Sequence, residues 1–297
     1  MPRPTKAQAG AEAAERFRER REELALFAES PRPRLENPLS LVSDDILGLF
    51  DTHCPFYDHE FLNRVVDVAL SWNVETVLLG GDFLDNTVFG RWGHDPDETL
   101  EEELATAEAL LSVLCKAFKN VVYFLGNYES NRILGKTTNR QLRFSRLVRM
   151  FTPPSVDNLY TSYFEWIEVQ ACSGTWLWAH PGNTSIIAGR VPNMLAGRSC
   201  QGKHVVSGHG HLAAMGRNDA NTFWAIDSGM VADKLRLGYA IVRPSIRPPM
   251  QNGAPIVKHG FPTLLTPFSD FGAEKRKYHG EPPCETKIIQ TEGEATV

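Results

Sequence analysis

Residues 46–53 read ILGLFDTH, an apolar run that ends in Asp51-Thr52-His53. The run predicts a buried β-strand because it is short, continuous and free of charge before Asp51. Side chains alternate along a strand, so Asp51 and His53 would point the same way where the strand ends. An aspartate and a histidine that face one point are a candidate pair of metal ligands.

Four further apolar runs end in the same kind of residue. They are TVLL before GGDFLD (residues 80–85), VVYFL before GNYE (126–129), TWLWA before His180, and HVVS before GHGH (208–211). In open α/β sheets, ligands bind at the carboxyl ends of the strands. Glycines before Asp82, Asn127 and His209 would permit tight turns there. The pattern predicts a centre of two divalent cations, roughly 3.5–4 Å apart and sharing one ligand.

Helical patterns at residues 57–72 and 99–118 separate the first three strands, and the second opens with the acidic turn DPDETLEEE. This alternation indicates βαβ units. After Pro153 the pattern favours consecutive strands at residues 160–170, 175–179, 204–207, 212–217, 223–226 and 239–242, with a helix around 184–195. We therefore expect an α/β fold: a four-layer α/β/β/α sandwich with two mixed β-sheets.

Composition divides the chain into three predicted parts. Residues 1–36 form a charged amino-terminal helical extension, residues 37–245 the domain that carries the motifs, and residues 246–297 an irregular Pro/Gly-rich carboxy-terminal extension. The net charge of −5 argues against a protein that coats nucleic acid non-specifically.

No apolar run is long enough to span a bilayer, and the amino terminus has no apolar core of a secretory signal. The five cysteines are scattered and odd in number, which fits a reducing compartment. We therefore predict a cytoplasmic protein with no membrane segment.

His259 has no ligand-like neighbours in the sequence and is left out of the predicted site.

The ordered motifs DTH, GGDFLD, GNYE, His180 and GHGH resemble the calcineurin-like metallophosphoesterase family. The pattern of that family is D-x-H, G-D-x-x-D, G-N-H-[DE], H and G-H-x-H. The resemblance spans about residues 45 to 242. The stretch DTHCPFYDHEFL and the arginine after GNYESN look most like the phage- and prophage-encoded branch.

The resemblance implies the ligands of both cations. One metal would be bound by Asp51, His53, Asp82 and His211, and the other by Asp82, Asn127, His180 and His209, with Asp82 bridging. The mixed nitrogen and oxygen ligands suit Mn²⁺, Fe²⁺, Zn²⁺ or Ni²⁺ better than Mg²⁺ alone. The family mechanism implies that a metal-bridging hydroxide attacks phosphorus while both cations stabilise the phosphoryl oxygens.

Tyr128 departs from the family, which has histidine after the asparagine. A tyrosine, with an unperturbed pKa of about 10, donates a hydrogen bond but supplies no cation at neutral pH. We therefore expect alkyl phosphomonoesters to be hydrolysed poorly and phosphodiesters to be preferred, with nucleic acids or nucleotides as candidate substrates. Arg132 follows the same loop and has two interpretations: a phosphate-binding residue or a partner in a surface salt bridge.

Two further side chains within the motifs are expected to support the ligands. Asp85 is predicted to orient a ligand or cap the following turn, and Glu129 to do similar work. The competing hypothesis for the whole chain is a catalytically lapsed metal-binding scaffold that acts through its two extensions. The complete set of implied ligands favours the enzyme.

Overall fold

The computed structural model describes residues 39–90, 99–135, 144–200, 202–242 and 250–289. Its strands are β1 (Ser40–Val42), β2 (Ile46–Leu49), β3 (Thr76–Gly80), β4 (Asn120–Phe124), β5 (Leu159–Ser162), β6 (Trp166–Ala171), β7 (Gly174–Ala179), β8 (His204–Ser207), β9 (Ala213–Arg217), β10 (Trp224–Ser228), β11 (Ala254–Lys258), β12 (Phe261–Leu265) and β13 (Lys287–Ile289). Its helices are α1 (His59–Ser71), α2 (Leu100–Ala117), α3 (Phe144–Arg149), α4 (Arg190–Met194), α5 (Gly238–Val242) and α6 (Phe271–Lys277). A 3₁₀ turn covers Thr87–Phe89, and π-helical turns cover Glu129–Leu134 and Leu195–Ser199.

The strands form two mixed sheets. The seven-stranded sheet has the order β13-β1-β6-β7-β8-β10-β9, and the six-stranded sheet has the order β12-β11-β2-β3-β4-β5. Strands β2 to β5 are parallel neighbours, and β7, β8 and β10 are parallel in the other sheet. Each parallel set therefore presents its carboxyl ends at one edge, which is where the predicted motifs lie.

A dry apolar layer joins the two sheets. Phe50, Leu78 and Phe124 from the six-stranded sheet pack against Trp178 and Val206 from the seven-stranded one, and all are buried. Helices α1, α2, α3 and α6 cover the outer face of the six-stranded sheet, and α4 with the turn after it covers the other sheet. The predicted α/β/β/α sandwich with two mixed sheets is confirmed.

Helix α2 begins as the sequence predicts. The Thr99 hydroxyl accepts the Glu102 N–H (3.2 Å), and the Glu102 carboxylate accepts the Thr99 N–H (3.2 Å), which makes a capping box. Glu101 and Glu103 add negative charge to the first turn, where the helix dipole favours it. Glu103, however, is buried rather than solvated.

Three predicted elements need correction. Residues 160–170 form two strands in different sheets, because the chain leaves β5 through a turn in which the Ser162 hydroxyl accepts the Phe164 N–H (3.3 Å). Residues 239–242 belong to helix α5, from which Tyr239 and Ala240 pack into a buried cluster with Leu237. The helix expected around 184–195 begins only at Arg190, after an exposed loop.

The prediction of an irregular segment at residues 246–297 is wrong for the residues described there. Strands β11 and β12 extend the six-stranded sheet, β13 pairs with β1 in the other sheet, and α6 packs against α1. The sequence did not predict these elements because the segment is rich in proline and glycine. Each element is also only three to seven residues long, which is too short for a clear pattern. Tertiary pairing thus decides their conformation.

The predicted amino-terminal helix within residues 1–36 lies outside the described residues. Every described residue belongs to one compact unit, Asn37–Val297. No helix in the described ranges combines the length and the apolar character needed to cross a membrane.

Ile256→Ala tests whether the carboxy-terminal segment belongs to the core. Ile256 on β11 is fully buried and pairs with Leu47, so the variant should lose about 2–5 kcal/mol of unfolding free energy. Urea denaturation followed by circular dichroism measures the change. Phe261→Ala, on the neighbouring β12 but 61% exposed, should change stability by only about 0.5 kcal/mol. Equal small losses in both variants would contradict the placement.

Candidate metal centre

The carboxyl ends of β2, β3, β7 and β8 bring the predicted ligands into two groups. Within each group, one candidate ligand atom per residue lies within 4.8 Å of the others. The groups are Asp51, His53 and His211, and Asp82, His180 and His209. Each group combines carboxylate oxygen with imidazole nitrogen, the donor set that borderline divalent cations prefer.

Asp51 connects the two groups. Its Oδ1 lies 2.9 Å from His211 Nε2 and 3.9 Å from His53 Nε2 in its own group, and 4.0 Å from His180 Nε2 in the other. Its Oδ2 accepts the backbone N–H of His209 at 2.8 Å. The two groups are therefore adjacent, with a fully buried carboxylate between them.

Five of the candidate ligands have a left-handed backbone conformation: φ is 51° at Asp51, 48° at His53, 48° at Asp82, 70° at His209 and 54° at His211. Asp and His tolerate this region better than most residues, yet it costs on the order of 1 kcal/mol each. Hydrogen bonds from Asp51 N to Gly81 O (3.2 Å) and from His53 N to Asp82 O (2.9 Å) hold two of these loops together. The backbone thus turns the side chains towards a shared point.

Two glycines make the close approach of these loops possible. Gly81 has φ 79°, and a Cβ there would lie 2.6 Å from Gly126 Cα. A Cβ on Gly126 would lie 2.1 Å from the backbone nitrogen of Asp82. The prediction that glycines before Asp82 and Asn127 permit tight turns is confirmed.

The contacts of Asp82 show how well the residues present fit a cation. Its Oδ1 accepts the Tyr128 N–H at 2.7 Å. Its Oδ2 is buried and has no hydrogen-bond partner among the described residues, although His180 Nε2 lies 3.3 Å away. A buried carboxylate oxygen without a donor is costly, and a metal ion would satisfy it. The residues present therefore fit a divalent cation.

Asn127 and His180 converge from two different sheets. His180 Nδ1 lies 2.8 Å from the carbonyl oxygen of Gly80, so Nδ1 carries a proton and Nε2 faces Asn127 Oδ1 at 3.0 Å. Burial lowers the pKa of His180, but Asp82 and Asp51 outweigh it and raise the pKa to about 10. The pocket thus attracts positive charge, either as a proton on Nε2 or as a metal ion.

Asp85 orients His53, as expected from the sequence. Its Oδ1 lies 2.9 Å from His53 Nδ1, and its Oδ2 accepts the Thr87 hydroxyl at 2.9 Å. Burial raises the pKa of Asp85, but the hydrogen bonds of His53 and Thr87 and the charges of His53 and Arg132 together hold it below its ordinary value. A carboxylate on one ring nitrogen leaves the other, Nε2, directed at the centre.

Glu129 fixes the loops around Asp82. The fully buried carboxylate accepts five hydrogen bonds, from the N–H groups of Phe83 (2.8 Å), Leu84 (3.1 Å), Asp82 (3.1 Å) and Gly126 (3.2 Å) and from the Tyr123 hydroxyl (2.6 Å). Burial and the charge of Asp82 raise its pKa, whereas the donors favour the ionised form. The expected supporting role of Glu129 is confirmed.

Tyr128 and Arg132 form a stacked pair beside the centre. The Arg132 guanidinium lies 3.4 Å from the centroid of the Tyr128 ring, and that ring meets His53 edge-on at 4.8 Å. Arg132 also contacts the carbonyl oxygen of Asp85, and its Nη1 lies 3.4 Å from Asp85 Oδ2. Its side chain is only 14% exposed, so the ion pair is a buried one rather than the surface pair considered from the sequence.

Sequence reasoning missed two supporting residues, Tyr239 and Glu103. The Tyr239 hydroxyl lies 3.0 Å from His211 Nδ1, and Tyr239 is 2% exposed. Glu103 on α2 accepts the N–H groups of Asn86 (2.6 Å) and Thr87 (3.3 Å), which fixes the turn after Asp85. Burial raises the pKa of Glu103 to about 7. Neither residue lies in a motif, so only its position in the fold shows its role.

No protein-family model matches the chain, and no curated protein matches it. Among the solved structures that are similar to it are the following two. One is a conserved uncharacterized protein, a predicted phosphoesterase, from Streptococcus pneumoniae, at 11% identity and a TM-score of 0.31 over 84% of this chain and 99% of that chain. The other is Vacuolar Protein Sorting 29 from Cryptosporidium parvum, at 13% identity and a TM-score of 0.39 over 75% of this chain and 96% of that chain. Similarity at this level carries no argument about activity or partners.

Tyr239→Phe should weaken metal binding about 10–100-fold, because it removes the hydroxyl that orients His211. Titration of the metal-free protein with Mn²⁺ in a calorimeter measures the change. Tyr163→Phe is the matched control, since the buried Tyr163 hydroxyl has no hydrogen-bond partner among the described residues. Equal affinities in the wild type and Tyr239→Phe would show that the contact does not position His211 for a metal.

Proposed function

We propose that the protein is a dinuclear metal-dependent hydrolase that cleaves phosphoric ester bonds. The observation that carries the proposal is the pair of adjacent Asp/His groups, with the buried Oδ2 of Asp82 3.3 Å from His180 Nε2 and without a hydrogen-bond partner among the described residues. Imidazole and carboxylate ligands that adjoin in this way suit two divalent cations acting on one phosphoryl group.

The proposed ligands are those implied by the sequence motifs. Asp51, His53 and His211 would hold one cation, Asn127, His180 and His209 the other, and Asp82 would contribute to both. Asp51 Oδ1 also faces histidines of both groups, so it is a second candidate for the shared ligand. Mn²⁺, Fe²⁺, Zn²⁺ and Ni²⁺ all suit this donor set.

When bound, the cations would supply Lewis acidity and a hydroxide nucleophile at neutral pH. The residues of the chain hold the geometry for that chemistry. Glu129 and the Gly81 and Gly126 turns fix Asp82, Asp85 fixes His53, and Tyr239 fixes His211. Preorganisation of this kind avoids reorganisation during the reaction.

Arg132 is proposed to bind a phosphate oxygen of the substrate. One guanidinium nitrogen, Nη1, contacts Asp85, and the ring of Tyr128 supports the flat face of the group. A guanidinium has five N–H donors, and those that do not face Asp85 are the candidates for the phosphate. The Tyr128 ring would then position the guanidinium group of Arg132, whose positive charge the tyrosine itself does not carry.

Phosphodiesters are the proposed substrates, with nucleic acids or nucleotides as candidate classes. The support is Tyr128, which supplies no positive charge of its own against the second negative charge that a phosphomonoester carries and a phosphodiester lacks. Membership of a phage-type branch rests on residues 51–62 and Arg132 alone. All five cysteines are free thiols, which supports the proposal of a reducing, cytoplasmic location.

Asp82→Asn should abolish metal-dependent cleavage of bis-p-nitrophenyl phosphate, because it removes a ligand charge from the centre. The metal-stripped protein is assayed with added Mn²⁺, Ni²⁺, Zn²⁺ or Mg²⁺, and p-nitrophenyl phosphate serves as the monoester. Asp157→Asn is the control, since Asp157 is exposed and lies outside the centre.

Two results would contradict the hydrolase. The first is turnover that persists in Asp82→Asn. The second is stoichiometric metal binding without turnover of either ester, which would favour the catalytically lapsed scaffold.

Tyr128→His should raise the rate on alkyl phosphomonoesters and leave the diester rate almost unchanged. An imidazole at this position can donate a proton to a leaving group at neutral pH, which a phenol does poorly. The measurement is kcat/KM for both ester classes with one fixed metal. An unchanged monoester rate would show that Tyr128 does not set the ester preference.

A further inference from the structure

A second cluster of metal-competent side chains lies at the other end of β2. Asp45 directly precedes this strand, whereas Asp51 follows it. His259 lies in the turn between β11 and β12, and Cys284 lies three residues before β13. Candidate ligand atoms of these three residues lie within 4.8 Å of one another.

The distances suit tetrahedral coordination. His259 Nδ1 lies 3.6 Å from Cys284 Sγ and 3.8 Å from Asp45 Oδ1. Zinc at about 2.0–2.1 Å from nitrogen and oxygen and 2.3 Å from sulfur would separate nitrogen from sulfur by about 3.6 Å, and nitrogen from oxygen by about 3.3 Å. The His259–Cys284 distance therefore fits one ion, and the His259–Asp45 distance exceeds the tetrahedral value by about 0.5 Å.

The contacts of the His259 ring leave its Nδ1 atom available as a metal ligand. Its other ring nitrogen, Nε2, contacts the carboxylate of Glu281. A carboxylate on one nitrogen keeps the proton there and leaves a lone pair on the other, as in most metal-binding histidines. Here that lone pair faces a thiol and a carboxylate. His259 also has φ 52°, the conformation found at five candidate ligands of the first centre.

Asp45 can bind a cation through one oxygen only. Its Oδ2 is held by the fully buried Lys258 ammonium (2.6 Å) and by the Cys284 N–H (3.1 Å). Among the described residues, its Oδ1 accepts one hydrogen bond, from the His259 N–H (2.8 Å), so one lone pair remains for a metal. Lys258 balances part of the negative charge that a thiolate would add.

We infer that Asp45, His259 and Cys284 form a zinc site, separate from the proposed hydrolytic centre. Sulfur, imidazole and carboxylate together favour Zn²⁺ over Mg²⁺, Ca²⁺ or Mn²⁺. Water would take the fourth position, because the His259 side chain is 39% exposed. Zn²⁺ binding would release the proton of the Cys284 thiol.

A reactive cysteine is the competing interpretation of the same contacts. Cys284 Sγ faces His259 Nδ1 at 3.6 Å, and the Cys284 N–H donates to Asp45 Oδ2. A nucleophilic cysteine requires cationic neighbours, whereas an imidazole and a carboxylate beside a thiol are additional ligands for a metal.

The zinc site would fasten the end of the described chain to both sheets. Asp45 and His259 lie next to strands of the six-stranded sheet, while Cys284 leads into β13 at the edge of the seven-stranded sheet. The Thr286 hydroxyl, 2.8 Å from the Ser43 hydroxyl, lies in the same connection. Such a clip would stabilise the short strand β13, which has only three residues.

Cobalt tests the site, because none of the proposed hydrolytic ligands is a cysteine. Metal-free full-length protein is titrated with Co²⁺, and the near-ultraviolet thiolate-to-cobalt absorption is recorded. We expect a saturable band that Zn²⁺ displaces and that Cys284→Ser removes. The band should persist in Cys172→Ser, whose Sγ lies 3.2 Å from the His259 carbonyl oxygen, and in the remote Cys200→Ser.

The variant Asp51→Asn tests whether this site and the hydrolytic centre bind metal independently. It should weaken the first centre and retain the cobalt–thiolate band, so failure of one proposal does not affect the other. Absence of the band in the wild type, or its survival in Cys284→Ser, would overturn the zinc site.

Labelling of the wild type adds a measurement that needs no variant. Zn²⁺ should slow alkylation of Cys284 by iodoacetamide and leave Cys200 unaffected, as read by mass spectrometry. A Cys284 rate that does not respond to Zn²⁺ would identify a hydrogen-bonded thiol only.

Discussion

Buried negative charge at the carboxyl edge of the sheets is the constraint on which the rest of the site depends. Asp51, Asp82, Asp85 and Glu129 are each at most 6% exposed. Like charges this close cannot all remain ionised in a dry interior unless positive charge or donors face them. Glu129 receives five donors and Asp85 receives His53 and Arg132, whereas Asp82 Oδ2 receives none among the described residues. The carboxylate oxygen that lacks a donor is the one at which the proposed cations would bind.

The layered architecture places that charge where chemistry can use it. Parallel strands in both sheets end at one edge, and the loops after them adopt left-handed conformations at five candidate ligands. Backbone hydrogen bonds between the Asp51 and Asp82 loops offset the cost of these conformations. A rigid core of buried aromatic residues lies directly beneath, with Phe50 against Trp178 at 6.3 Å. The ligands are therefore positioned by packing as well as by their own contacts.

The two proposed metal sites lie at opposite ends of β2 and differ in ligand chemistry. The centre after β2 has only oxygen and imidazole donors around an unpaired carboxylate, which suits exchangeable, catalytic cations. The cluster before β2 places a thiol beside an imidazole and a carboxylate, which suits a single Zn²⁺ ion that links distant segments of the chain. Strand β2 would thus have the proposed hydrolytic centre at its carboxyl end and the proposed zinc site at its amino end.

The sequence by itself determined the central βαβ units and the candidate ligands, because apolar runs, helix caps and Asp/His residues at strand ends are local signals. It also indicated the supporting roles of Asp85 and Glu129. Only the tertiary structure decided the contacts of Tyr239 with His211, of Glu103 with the Asn86 turn, and of Asp45 with His259 and Cys284. These partners are 17 to 239 residues apart in the chain, and the carboxy-terminal strands are too short for a periodic pattern. Such contacts arise from the packing of distant segments, which a local pattern does not encode.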